Sequence, residues 1–426
     1  MAAAKTKAVS VSKVTLFTNI QELLTLKGAV KKGARRVLEK DLGIIKNAAM
    51  VCHKGRVLWV GPQKKLSKNI WKEFGKPKEI SLKSGTVMPA FVECHTHLVF
   101  AGNRADEFEM RTQGASYQEI AKKGGGILST VRATRKAKEQ DLIDLAQERA
   151  DRFIRQGVTT LEIKSGYGLD LKTETKILRT ARQLQNVRTV ATYLGLHAVP
   201  PEFADSESYL VHVIDNVLPI LAQKKLIDRV DAFVDEGYFS TDQARRYFQA
   251  ARAYGFKVSA HVEQLTRQGG TEVAIEMGAL SADHVVQVSK KDIQKLAESE
   301  TTGVLLPAAD FYLQMNYPPA RDLIEAGARV ALATDYNPGS SPTQDLSLVG
   351  MLARLEMKMS LPEVIVAYTL GAAHALDHGR DLGALLPGRI CDFVVIDGSW
   401  RDLFYQVGFH PVGATWKQGK NIFQHR

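Results

Sequence analysis

The chain has 426 residues and a formal net charge of +11, with 45% hydrophobic and 24% charged residues, the balance of a folded enzyme rather than a disordered or fibrous chain. Its three cysteines, Cys52, Cys94 and Cys391, are widely separated, which excludes a disulfide framework and a paired-cysteine zinc site and favours a reducing compartment. No run of about 18 apolar residues occurs and the first 14 residues lack the apolar stretch of a signal peptide, so a cytoplasmic protein with no membrane partner is expected.

In chain order, the first 88 residues read as short β segments at 9–17, 43–52 and 56–60, interrupted by Gly and Pro turns. Lys31, Lys32, Arg35 and Arg36 form the densest basic cluster here. No aromatic-basic recognition motif accompanies it, so no nucleic acid is expected. A solvated basic face, or a field that draws an anionic substrate, is the expected role.

From residue 89 the pattern changes. Short apolar runs end in polar residues at 91–97, 158–164, 189–197, 230–236, 257–263, 281–286, 303–309 and 329–335. Amphipathic stretches separate them, at 128–156, 172–185, 241–254 and 290–298. Eight buried strands alternating with helices predict a (β/α)8 TIM barrel over 89–379. A doubly wound open sheet is the competing architecture. After a turn at 384–388, an apolar strand at 391–396 resembles the β-rich start of the chain. Residues 1–88 and 380–426 are therefore expected to form one small composite β-sandwich domain.

Catalytic groups of such barrels project from the carboxyl ends of the strands. The first candidate strand ends in His95-Thr96-His97, the third at His197 and the eighth at Asp335, while His261 lies on the fifth and His284 near the end of the sixth. Residues i and i+2 of a strand share a face, so His95 and His97 can reach one ion from the barrel mouth. His261 adds a third nitrogen and Asp335 an oxygen. Three imidazoles and a carboxylate suit Zn2+ or Fe2+ with a position left open for water. A lone His-x-His is as readily a chance pairing or core packing; the joint pattern at strand ends favours a metal site. His53, His212, His374, His378, His410 and His425 lie at no strand end and are expected in packing or surface roles.

The segment Pro89-Ala90-Phe91-Val92-Glu93-Cys94-His95-Thr96-His97 resembles the metal motif of the amidohydrolase superfamily. Further motifs narrow the resemblance: Gly102-Asn103-Arg104, Glu162-Ile163-Lys164-Ser165-Gly166-Tyr167-Gly168, Gly195-Leu196-His197-Ala198-Val199-Pro200-Pro201 and Ala333-Thr334-Asp335-Tyr336-Asn337-Pro338-Gly339-Ser340. From about residue 85 onward the chain is similar to the imidazolonepropionase family, and only weakly so before it. The resemblance implies one divalent metal ion per chain, Zn2+ or Fe2+, on His95, His97, His261 and Asp335. It implies hydrolysis of a small anionic substrate, 4-imidazolone-5-propanoate, to N-formimidoyl-L-glutamate in histidine degradation, with a homodimer as a common assembly. Arg104, Tyr117, Tyr167, His197, Asn337, Gly339 and Ser340 fall on substrate-binding positions, and His284 falls at the reacting water. Some members carry a glutamate three residues after the strand-five histidine; here Gln264 stands there, able to hydrogen-bond the substrate ring but not to shuttle a proton.

The residues support that chemistry on their own terms. A cyclic amide is a poor electrophile and water a poor nucleophile, and a divalent ion corrects both. Asp335 is the expected proton acceptor, and His284 the group that orients water or supports the oxyanion. Arg104, with Tyr117 and Tyr167, suits a propionate arm. A deaminase or another cyclic amide or amidine hydrolase on the same scaffold is the nearest alternative, and a non-catalytic barrel scaffold the alternative of another class. Gly124-Gly125-Gly126 lacks the lysine of a phosphate loop and reads as a loop near the barrel mouth. Glu162 and Lys164 read as an ion pair inside the barrel, and Glu236 as a partner behind the metal ligands.

Overall fold

In the computed structural model, which describes residues 14–114 and 125–425, the chain opens with four strands: β1 (Thr15–Leu24), β2 (Ile44–His53), β3 (Arg56–Pro62) and β4 (Lys78–Pro89). Eight more follow: β5 (Phe91–Glu93), β6 (Val158–Lys164), β7 (Arg188–Leu196), β8 (Arg229–Val234), β9 (Lys257–Val262), β10 (Ser281–His284), β11 (Thr302–Leu305) and β12 (Val330–Leu332). Then come β13 (Phe393–Ile396), β14 (Val412–Lys417) and β15 (Lys420–Gln424). Strands β5 to β12 pair in sequential order as one eight-stranded parallel sheet. Every residue of β6 and β8 is buried, as strands covered on both faces must be. Beyond the last strands the sheet curls back on itself: Thr96 bridges Tyr336 in parallel, and the His97 N–H donates to the Tyr336 carbonyl at 2.9 Å. This is the expected barrel.

The two chain ends meet in a separate seven-stranded mixed sheet, ordered β15-β14-β13-β4-β1-β2-β3. β4 joins them, pairing parallel with β1 and antiparallel with β13. Its apolar side packs with Phe17, Phe393 and Trp416, whose rings lie 5.0–5.4 Å apart. Of the expected first strand at 9–17, residues 9–13 lie outside the described residues, and β1 runs from Thr15. No helix among the described residues is long and apolar enough to cross a membrane.

Three departures from the sequence reading have physical causes. The long amphipathic stretch at 128–156 is two helices, Ile127–Lys136 and Glu139–Arg155, parted by extended backbone at Ala137 and Lys138. Lys176, on the neighbouring helix, donates to the carbonyls of Thr134, Arg135 and Ala137 and so stabilises the break. The seventh apolar run stops as a strand at Leu305, because Pro307 opens a helix, a position where its missing N–H costs nothing. The basic cluster is not a free face. Arg35 donates to the carbonyls of Ala297, Gly327 and Ser299, Arg36 to those of Glu325 and Ala326, and Lys32 pairs with Asp41. Two arginines thus cap the carboxyl ends of two barrel helices, where cations are favoured.

Candidate active site

At the carboxyl ends of the barrel strands lies a cavity of about 640 Å3. It is lined by His97, Arg104, Tyr167, His197, His261, Gln264, His284, Asp335, Asn337, Gly339 and Ser340. His95 is fully buried beneath this lining. Tyr117 and Gly124 lie outside the described residues. Glu263, His284 and Asp335 take left-handed φ angles of 49°, 77° and 52°. Such backbone is disfavoured for these residues and persists where surrounding contacts enforce it.

The imidazoles are held by carboxylates from the barrel interior. His95 Nδ1 lies 2.7 Å from Asp283 Oδ2, and His261 Nδ1 lies 3.1 Å from Asp231 Oδ1. A carboxylate only accepts, so both rings carry their proton on Nδ1. Their Nε2 atoms are buried and have no hydrogen-bond partner among the described residues. His95 Nε2 and His97 Nε2 stand 3.4 and 3.5 Å from Asp335 Oδ1, and the His95 and His261 ring centres are 4.6 Å apart. Two overlapping donor sets result, His95-His97-Asp335 and His95-His261-His284, each with its ligand atoms within 4.8 Å of one another.

The electrostatics favour a cation between these rings. Burial and Lys164 press the His95 pKa down, yet Asp283 and Asp335 raise it to about 9. Burial, then the neighbouring imidazoles, lowers His97 to about 4, and burial with His97 lowers His197 to about 3. Burial opposes ionisation of Asp335, but His95 and His97 hold its carboxyl well below the usual range. Without an ion His95 holds a proton beside the ionised Asp335; a divalent ion suits that place, facing the Nε2 atoms of His95 and His261, whose rings are backed by acids.

The other cavity-lining side chains are held by their neighbours. His197 donates from Nδ1 to the Gly166 carbonyl at 2.9 Å, and a Cβ at Gly166, whose φ is +105°, would lie 2.9 Å from that nitrogen. A Cβ at Gly339 would collide with the Arg104 guanidinium, so glycine is required there for close approach. Arg104 is paired with Glu107, Nε to Oε2 at 2.8 Å. Asn337 knits its own loop: its Oδ1 accepts from the N–H groups of Gly339 and Ser340 at 2.8 Å, and its amide donates to Ser340 Oγ. Burial drives the Tyr167 phenol far above its ordinary pKa, so it remains a donor.

Sequence reasoning missed several groups. Glu236 is exposed at the cavity wall rather than buried behind the donor rings, because β8 ends at Val234 and the chain turns. Its neighbour Asp235 is the buried carboxylate, accepting the backbone N–H groups of Gln264, Leu265 and Thr266 at 2.8–3.1 Å. Asp235 therefore sets where Gln264 stands. Arg111, also at the cavity, lies 4.7 Å from the Tyr312 ring centre and donates to the Gly339 carbonyl. Asp283 adjoins His284 in the chain, and Asp231 lies inside the fourth apolar run; neither position alone reveals that it faces an imidazole.

The amidohydrolase family model matches residues 86–422. An imidazolonepropionase of Bdellovibrio bacteriovorus is 54% identical over 96% of this chain and 96% of its own. One from Geobacillus kaustophilus is 41% identical over 94% of this chain and 96% of its own. Among solved structures, an adenosine deaminase from Xanthomonas campestris with bound zinc superposes with a TM-score of 0.70 at 15% identity, covering 96% of this chain and 92% of that one. At that identity the likeness speaks for the fold alone.

Proposed function

The chain belongs to the amidohydrolase family, and from that premise we propose how its site residues divide the reaction of an imidazolonepropionase. It is a hydrolase acting on the ring C–N bond of a cyclic amide, 4-imidazolone-5-propanoate, and it yields N-formimidoyl-L-glutamate in histidine degradation. Residues 89–379 form the catalytic barrel in this reading, with 1–88 and 380–426 as its composite β domain, in line with the two separate sheets.

His95, His97, His261 and Asp335 hold one divalent ion, Zn2+ or Fe2+. The observation that carries this assignment is the pair of bare Nε2 atoms on His95 and His261, each ring anchored through Nδ1 to a buried carboxylate. Such an ion supplies Lewis acidity, making water a nucleophile near neutral pH and polarising the carbonyl. Asp335, ionised beside His95 and His97, takes the proton of the attacking water and returns it to the departing ring nitrogen. His284 is kept neutral by burial, its pKa well below the ordinary range, and its Nδ1 has no partner among the described residues. It orients the water and supports the developing oxyanion. His197 lines the cavity, and with its Nδ1–H given to the Gly166 carbonyl its Nε2 is left as an acceptor.

Arg104 binds the propionate arm, with Tyr167 as a further donor. Arg104→Ala removes a charge-assisted pair worth about 1.5–3 kcal/mol, so kcat/KM should fall about 10- to 150-fold. The loss should shrink for an analogue without the carboxylate. Equal losses on both compounds would remove Arg104 from the carboxylate site.

Gln264 orients the ring without moving a proton. Gln264→Glu should be tolerated. Gln264→Ala should cost more, because orientation is lost and a ring group is left unpaired. Steady-state kinetics on both variants decide this, and an alanine variant as active as the parent would make Gln264 a bystander.

A further inference from the structure

Below the donor rings, the Lys164 ammonium is fully buried at the end of β6. It faces three carboxylates: Asp231 Oδ2 at 2.6 Å, Glu162 Oε2 at 3.0 Å and Asp283 Oδ2 at 3.2 Å. An ammonium has three N–H donors, and three carboxylates surround it. Two of them, Asp231 and Asp283, are the groups that accept from His261 and His95. Asp231, His261 and Asp283 also bring their ligand atoms within 4.8 Å of one another, as a cation site requires.

Charge explains why that second set is closed. Glu162, Asp231, Asp283 and Asp335 are buried carboxylates. Lys164 opposes them, as does Arg229, whose Nη1 lies 3.8 Å from Glu162. Lys164 thus already meets the carboxylates that a second ion would need. A divalent ion beside the fixed ammonium would bring two cations together in the barrel interior, an arrangement that burial strongly disfavours.

We propose that Lys164 is a tethered cation standing where a second metal ion would otherwise bind, a positioning residue that holds Asp231 and Asp283 against His261 and His95 and limits the centre to one ion. This rests on the one-ion reading of the donor rings above. The lysine is supplied by the barrel wall, so it cannot be lost by dilution or chelation, and the two imidazoles keep their Nδ1–H tautomer whichever divalent ion is present. The three carboxylates it neutralises are oxygen donors, which suit Mn2+.

The test is Mn2+ loading of the full chain, with metal content measured after desalting and electron paramagnetic resonance of the bound ion. The parent protein should hold one Mn2+ per chain in tenfold excess, with the spectrum of an isolated ion. Lys164→Met should rise to two, its spectrum broadened by the neighbouring ion. Should that variant fail to fold, Glu162→Gln/Lys164→Met removes one charge of each sign and should also take a second ion. Two ions in the parent, or only one in the folded variants, would overturn the proposal. No Mn2+ in the parent at all would instead overturn the metal reading on which it rests.

Discussion

Asp335→Asn should lower turnover of imidazolonepropionate by about 1,000-fold or more, the largest loss expected of any single conservative change here. General acid–base assistance is worth about 100- to 10,000-fold, and the same carboxylate faces the donor rings from 3.4 and 3.5 Å. An amide of nearly equal size keeps the packing but has no charge and no basic oxygen. The two losses separate by measurement. If metal content holds while turnover collapses, the proton-transfer role dominates; if both fall together, the ligand role does. An asparagine variant that keeps its turnover would discard Asp335 as the base.

His261→Ala should have the second largest effect, through the metal. Replacing a group that merely anchors a ligand weakens metal binding about 10- to 100-fold, and removing a ligand should reach at least the upper end. The substitution also strands Asp231, which then lacks the Nδ1–H it accepts and must rely on Lys164 and Ser259. Occupancy and activity should therefore drop together. Excess metal should restore part of the activity, which it would not do if His261 only packed the barrel mouth. Full occupancy in the variant would exclude His261 from the ligand set.

Much of this was legible in the residues because barrel strands are buried on both faces. Such strands read as unbroken apolar runs, and β6 was located to the residue while β7, β8 and β9 were located to within one or two. Strand ends then point to the chemistry, which is why His95, His97, His197, His261, His284 and Asp335 could be named together. What stayed hidden depends on contacts through space. Lys164 reads as one half of an ion pair with Glu162, since i, i+2 neighbours share a face; Asp231 and Asp283 come from β8 and β10, and only barrel closure brings them to it. The break in the helical stretch after Lys136 depends on Lys176 from another helix, and periodicity carries no trace of it. Arg35 and Arg36 looked like a basic face for the same reason: their partners are carbonyls nearly 300 residues away.

The most direct test of the account is a metal titration of the enzyme's own reaction. Protein stripped by a chelator would receive Zn2+ or Fe2+ in small steps, with ring opening of freshly made imidazolonepropionate followed at each step. Activity should be absent at first, rise in proportion to added metal and level off at one equivalent per chain. Full activity in the stripped protein, or a plateau only at two equivalents, would contradict a single ion held by His95, His97, His261 and Asp335.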